Sequence, residues 1–101
     1  MEMNLIKAAD GATVVFDGRL DTVAAQEIAK DLDSILECAS GPIVLDCRKL
    51  TYVSSSGLRI FLTIRKAAAE KGGSVSVRGI SNDIRNVFMM TGFLNLFNIE
   101  D

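Results

Sequence analysis

Apolar residues recur along this chain with two periods, and each change of period marks a new element. Ala12–Phe16 (Ala-Thr-Val-Val-Phe) is rich in β-branched residues and predicts a strand, preceded by a shorter one over Asn4–Ala8. Asp10-Gly11 between them is a hairpin signal, so the two strands are expected to pair antiparallel. From Asp21 or Thr22, either of which can cap a helix, the period lengthens. Ala24, Ile28, Leu32, Ile35, Leu36 and Ala39 fall on one helical face, and Gln26, Glu27, Lys30, Asp31, Asp33, Ser34 and Glu37 take the other. Gly41-Pro42 stops this helix after about Ala39.

Ile43–Cys47 is apolar except for Asp46, the pattern of a buried parallel strand. A second helix is expected from about Ser56 to Lys71. Leu58, Ile60, Phe61, Leu62, Ile64, Ala67, Ala68 and Ala69 leave it only the narrow polar stripe Arg59, Thr63, Lys66 and Glu70. Gly72-Gly73 ends it. Ser74–Arg78 alternates as a strand, and Ser81 or Asn82 opens a third helix with Ile84, Val87 and Phe88 turned inward, broken by Gly92. The apolar tail Phe93–Ile99 needs cover, as a short strand or a last helical turn.

Strand–helix alternation from residue 12 onward implies an α/β fold with a small mixed, largely parallel sheet joined by right-handed crossovers and flanked by helices. Residues 1–101 are expected to form one domain. With 49% apolar residues the chain can fill a two-layer core. No stretch approaches the ~20 apolar residues that cross a bilayer. The start, Met1-Glu2-Met3-Asn4, lacks a signal-peptide layout, so a cytoplasmic location is expected. Cys38 and Cys47 then read as free thiols.

Net charge is −2, which argues against nucleic acid as a direct partner. The charge is uneven. Residues 1–47 hold nine acids and three bases, and residues 48–101 hold four acids and eight bases, giving −6 and +4. Such asymmetry fits either acidic and basic docking faces or solvated surfaces that meet within the fold.

The chemistry-bearing stretch is Tyr52-Val53-Ser54-Ser55-Ser56-Gly57-Leu58-Arg59, where a strand-following turn enters the second helix. A helix N-terminus has unpaired N–H groups and favours negative charge. A serine there is either a cap or a residue whose phosphorylated form the helix end accommodates. Serine catalysis needs a base, usually histidine, and the chain has none. Glycine-rich phosphate loops are absent as well. Asp17, Asp21 and Asp46 could converge as a metal-dependent phosphoacceptor site, but Asp46 lies within a strand and Asp21 is explained as a cap. The expectation is a protein that is not an enzyme and carries no metal and no cofactor.

Two motifs carry a family resemblance. Ser54-Ser55-Ser56-Gly57-Leu58-Arg59 resembles the turn of STAS domains of the anti-sigma factor antagonist family, which reads Asp-Ser-Ser/Thr-Gly-Leu or, in another branch, Ser-Ser-Ala-Gly-Leu-Arg. This chain is nearer the second branch, with Ser56 at the alanine position and Ser54 where the first branch has aspartate. Phe16-Asp17-Gly18-Arg19-Leu20-Asp21-Thr22 is similar to the family's Gly-x-Leu-Asp segment, and the order of elements fits from about Met3 to Ile99. The resemblance implies a first strand antiparallel to the rest. It implies Ser55 as phosphoacceptor and a partner-binding rim that takes in Asp21, Thr22, Ser54, Ser56, Gly57, Leu58 and Arg59. Gly57 and Leu58 also read as structural, and Asp21 as a plain cap.

The function implied is partner switching. Unphosphorylated protein would bind an anti-sigma factor serine kinase and free a sigma factor. Phosphorylation at Ser55 would release it, and a PP2C-type phosphatase would reset it. ATP would belong to the kinase, and the free protein would be monomeric and not inserted in a membrane. The competing expectation is a constitutive STAS accessory subunit docked on the ATPase of an ABC transporter.

Overall fold

The computed structural model describes residues 1–100. Strand β1 (Glu2–Lys7) turns back through a loop closed by the Ala8 N–H donating to the Gly11 carbonyl (2.8 Å) and pairs antiparallel with β2 (Ala12–Leu20). Helices α1 (Thr22–Lys30) and α2 (Leu32–Leu36) lead to the central strand β3 (Pro42–Val53). Helix α3 (Ser55–Lys71), strand β4 (Ser74–Arg78), helix α4 (Asn82–Thr91), a 3-10 turn (Phe93–Asn95) and strand β5 (Asn98–Glu100) complete the order. The sheet runs β1-β2-β3-β4-β5, with every pair after the first parallel. The α/β mixed sheet with an antiparallel first strand is as expected from the sequence.

Several boundaries differ from the sequence reading, and β1 spans Glu2–Lys7 rather than Asn4–Ala8. The helix expected to run unbroken to Ala39 ends at Lys30, and a short second helix starts at Leu32. Asp31 and Asp33 explain the break, because carboxylates oppose the dipole at a helix C-terminus and favour a new N-terminus. The strand expected over Ile43–Cys47 continues to Val53, and β2 reaches Leu20. The tail adopts both forms considered for it, a 3-10 turn and then β5.

One sheet face carries Val14, Phe16, Ile43, Leu45, Cys47, Val75 and Val77, all buried, and the helices pack on it. Phe61 of α3 is the hub of that packing. Its ring lies 5.2 Å from Phe16, 6.1 Å from Phe88 and 6.4 Å from Phe97, centroid to centroid. Cys47, sealed in this core, has its thiol pushed up to about 12 by burial and then by neighbouring Asp46. A thiol that does not ionise near neutrality is a poor nucleophile.

The other sheet face has no second layer. Val15, Val44, Ser76 and Arg78 there are only half-buried, so β3 is not enclosed on both sides as its apolar run suggested. Asp46 is the exception on this face, buried to 3% exposure beneath Arg48. The Arg48 guanidinium clamps both carboxylate oxygens, with Nε 3.0 Å from Oδ1 and Nη2 2.7 Å from Oδ2, and the Arg48 backbone N–H adds a bond of 3.1 Å. These bonds hold the Asp46 carboxyl below its ordinary range, against the opposing effect of burial.

A lowered folded-state pKa stabilises the fold in full above the unfolded value of about 3.9, and that contribution fades as pH falls through the folded value. Asp46→Asn is therefore expected to lower the denaturation midpoint at pH 7. The gap to wild type should close as the pH is taken below about 4. A gap unchanged down to pH 2.5 would show that the charge of Asp46 contributes nothing; urea melts at stepped pH measure it.

Candidate functional site

The C-terminal ends of β2 and β3 lie side by side, Arg19 against Tyr52 and Leu20 against Val53. Each strand leads at once into a helix, so two helix N-termini, those of α1 and α3, open on one rim. Both are capped in the same way. Asp21 accepts from the Ala24 N–H through Oδ1 at 2.9 Å, and Ser54 accepts from the Gly57 N–H through Oγ at 3.1 Å. Asp21, not Thr22, is the first cap, and Ser81 caps α4 by accepting from the Ile84 N–H at 3.2 Å.

Ser54 is bound twice more. Its Oγ–H donates to the Leu20 carbonyl at 3.0 Å, and its backbone N–H donates to the same oxygen at 2.9 Å. The hydroxyl is thus fully engaged in tying the head of α3 to the end of β2. Ser55 is the next residue and the first of the helix. Its side chain is exposed and makes no hydrogen bond to any described residue. The three serines divide the work: Ser54 caps, Ser56 is half-buried, and Ser55 presents a free hydroxyl.

Ser54→Ala removes both the cap and the tie to β2. It is expected to cost about 1 kcal/mol, the usual value of a serine cap. Ser55→Ala touches no such contact and should stay within roughly 0.5 kcal/mol of wild type. Chemical denaturation of the two variants checks this. Equal losses would mean that the cap is shared.

The remaining residues singled out in the sequence separate into surface and support. Thr22 and Arg59 are exposed, and Asp21 is half-buried. Gly57 and Leu58 are buried and lie beneath the rim rather than on it. A Cβ at Gly57 would stand 2.6 Å from Leu20 Cγ and 3.0 Å from the Leu20 carbonyl oxygen, so only glycine lets α3 approach β2 this closely. Asp17, Asp21 and Asp46 do not meet. No group of three or more metal-ligating side chains occurs among the described residues.

The rim also carries residues to which the sequence reading assigned no role. The Arg19 guanidinium lies 4.3 Å above the Tyr52 ring, a cation–π stack joining β2 to β3. Val23, the second residue of α1, is 66% exposed, and Tyr52 is 40% exposed. Only an apolar residue at a position without a helical-face role hints at Val23. The Arg19–Tyr52 stack depends on a register that spacing does not reveal. Beside the rim, a shallow cavity of about 410 Å³ is lined by Met1, Met3, Arg19, Asp21, Ala24 and Ile28 among others. Its charged lining is Arg19, Asp21 and Glu27, and Asp21 is engaged as the cap of α1.

Residues 4–101 match the STAS domain. The chain belongs to the STAS domain family. The protein BtrV of Bordetella bronchiseptica, assigned as an anti-sigma factor antagonist, is 25% identical over all of this chain and 87% of its own length. A STAS-domain containing protein of Pseudomonas aeruginosa is 29% identical, covering 99% of this chain and all of that one. The anti-sigma-B factor antagonist of Staphylococcus aureus is 24% identical over 83% of this chain and 78% of its own.

The STAS fold is equally clear in solved structures. An anti-sigma factor antagonist from Thermotoga maritima superposes with a TM-score of 0.88 at 18% identity, covering 98% of this chain and 86% of that one. The Bacillus antagonist SpoIIAA matches in its unphosphorylated form at TM-score 0.76, covering 99% and 88%, and in its phosphorylated form at 0.75, covering 97% and 90%, both at 18% identity. The relatives carry the names of regulators, and no helix among the described residues is long and apolar enough to cross a membrane.

Proposed function

We propose that this STAS protein is an anti-sigma factor antagonist that switches partners through Ser55. The observation that carries the reading is the division of labour in the serine turn. Ser54 consumes its hydroxyl as cap and tie, while Ser55, one residue on, offers an exposed hydroxyl with no competing bond. An anti-sigma factor serine kinase would transfer the γ-phosphoryl of ATP to Ser55 Oγ, with release of ADP and the hydroxyl proton. A PP2C-type phosphatase would hydrolyse the ester with water, returning serine and inorganic phosphate.

The resulting group carries nearly two negative charges and three acceptor oxygens. At the first position of α3 it meets unpaired N–H groups and the positive end of the dipole, so the fold has no reason to change. The cost falls on the complex, where a new charge at a contact must be desolvated or repelled, and such terms of several kcal/mol change affinity by orders of magnitude. The near-equal match to both forms of SpoIIAA supports a switch that leaves the fold intact. Asp21, Thr22, Val23, Tyr52 and Arg59 would surround the contact.

The test is a pull-down from native lysate with wild-type and Ser55→Asp baits. Recovery of an ATPase-type serine kinase by wild type, lost by at least tenfold with Ser55→Asp, is the expected result. Equal recovery by both baits would overturn the switch. If the proteins so recovered were components of an ABC transporter, a constitutive accessory role would replace it.

A further inference from the structure

The exposed face of α3 continues the line of Ser55. Arg59, Leu62 and Lys66 follow it at i+4, i+7 and i+11, the spacing that stacks side chains along one side of a helix. Arg59 and Lys66 are exposed, and neither forms an ion pair with any described residue. Leu62 between them is 37% exposed, although α3 buries its other large apolar residues, Leu58, Ile60, Phe61 and Ile64. The other exposed basic residues of this helix are occupied: Arg65 Nε donates to the Leu96 carbonyl at 2.7 Å, and Lys71 Nζ to the Leu36 carbonyl at 2.8 Å. Two free cations that flank an exposed leucine, in line with a free hydroxyl, are what remains.

We infer that Arg59, Leu62 and Lys66 dock an acidic segment of the anti-sigma partner, one that places an apolar residue on Leu62 between two carboxylates. The inference rests on the Ser55 reading and extends it down the helix. Charge complementarity selects this occupant, since a basic segment would be repelled by both cations and a purely apolar one would leave them unpaired on binding. Continuity with Ser55 gives the stripe its control. A phosphate on Ser55 sits four residues N-terminal to Arg59, the acid-before-base order that pairs well along a helix. Modification therefore does two things: it presents a charge of the partner's own sign, and it withdraws the leading cation of the stripe.

The experiment uses the serine kinase recovered with the wild-type bait, purified, and measures its Kd for full-length variants over a salt series. Arg59→Glu and Lys66→Glu are each expected to weaken binding at least tenfold and to flatten its salt dependence. Lys7→Glu makes the same charge change at the far end of the sheet and should leave Kd within twofold. Thermal melts confirm that all three fold, as exposed positions allow. If Ser55→Asp weakens binding while both stripe variants bind as wild type, the stripe is not the docking site and the switch stands. A Lys7→Glu loss equal to theirs would reduce the effect to net charge and overturn the stripe. Failure to recover a kinase, or equal binding by Ser55→Asp, overturns the switch and the stripe together.

Discussion

Phe61→Ala is expected to lose about 3–5 kcal/mol of stability, the range for deleting a buried aromatic ring. Phe61 is fully buried and touches the rings of Phe16 on β2, Phe88 on α4 and Phe97 before β5. Its removal leaves a void that borders three elements at once, and no single one of them can collapse into it. Folded domains are stable by only about 5–15 kcal/mol, so this substitution takes a large share. Urea denaturation followed by circular dichroism gives the number, and a loss under about 1.5 kcal/mol would mean that the cluster repacks freely. Phe61→Leu, which keeps most of the apolar volume, should cost distinctly less. The substitution bears on function because Phe61 anchors α3 two turns below its head. A domain that still folds without that anchor should show weaker partner binding with the Ser55 turn intact.

The elements most legible in the sequence are those whose periodicity is undisturbed. Helix α3 begins one residue earlier than its apolar pattern suggested, at the residue after the Ser54 cap, and ends at Lys71 as expected, because Gly72 supplies an unambiguous stop signal. The second half of β3 was not legible, and its burial explains why. Residues 48–53 follow a repeat of two exposed and one buried, with Leu50 and Val53 inside. Pairing with β2 slips between Val15 and Asp17 and again between Gly18 and Arg19, each time giving β3 one residue more than β2. Bulges of this kind re-aim side chains, so alternation fails as a guide where the strand nears the rim. The same slips bring Arg19 against Tyr52, a pairing that no spacing rule anticipates.

The serine turn itself was legible as a place but not as a set of roles. Three consecutive hydroxyls at a helix start leave the cap undetermined until the Leu20 carbonyl is located. That oxygen accepts from both the backbone and the side chain of Ser54, and so selects it. The clamp on Asp46 was not legible for a related reason. A carboxylate inside an apolar strand gives no sign that Arg48, two residues on, folds back across it.

Gly57→Val is expected to be the most damaging single change beneath the rim, at about 3 kcal/mol, the upper part of the range for overpacking. The first added carbon would stand 2.6 Å from Leu20 Cγ and 2.9 Å from Cδ2. Neither neighbour can yield cheaply. Leu20 is fully buried, and its carbonyl oxygen, 3.0 Å from the same point, already accepts both bonds from Ser54. Gly57→Ala meets the same first contact but regains up to about 1 kcal/mol of helix propensity, so its net loss should be smaller. Valine adds two further methyls at the contact and regains less. If the collision is the cause, Leu20→Ala makes room, and Gly57→Val should cost less in that background than alone, a coupling that a double-mutant cycle reads directly. Additive losses would place the damage elsewhere. Because relief of the clash pushes the head of α3 away from β2, Gly57→Val should also weaken partner binding while the Ser55 hydroxyl remains present. Retained stability together with lost binding would mean that α3 has shifted as a unit, and the position of Ser55 on the rim, not its hydroxyl alone, then sets recognition.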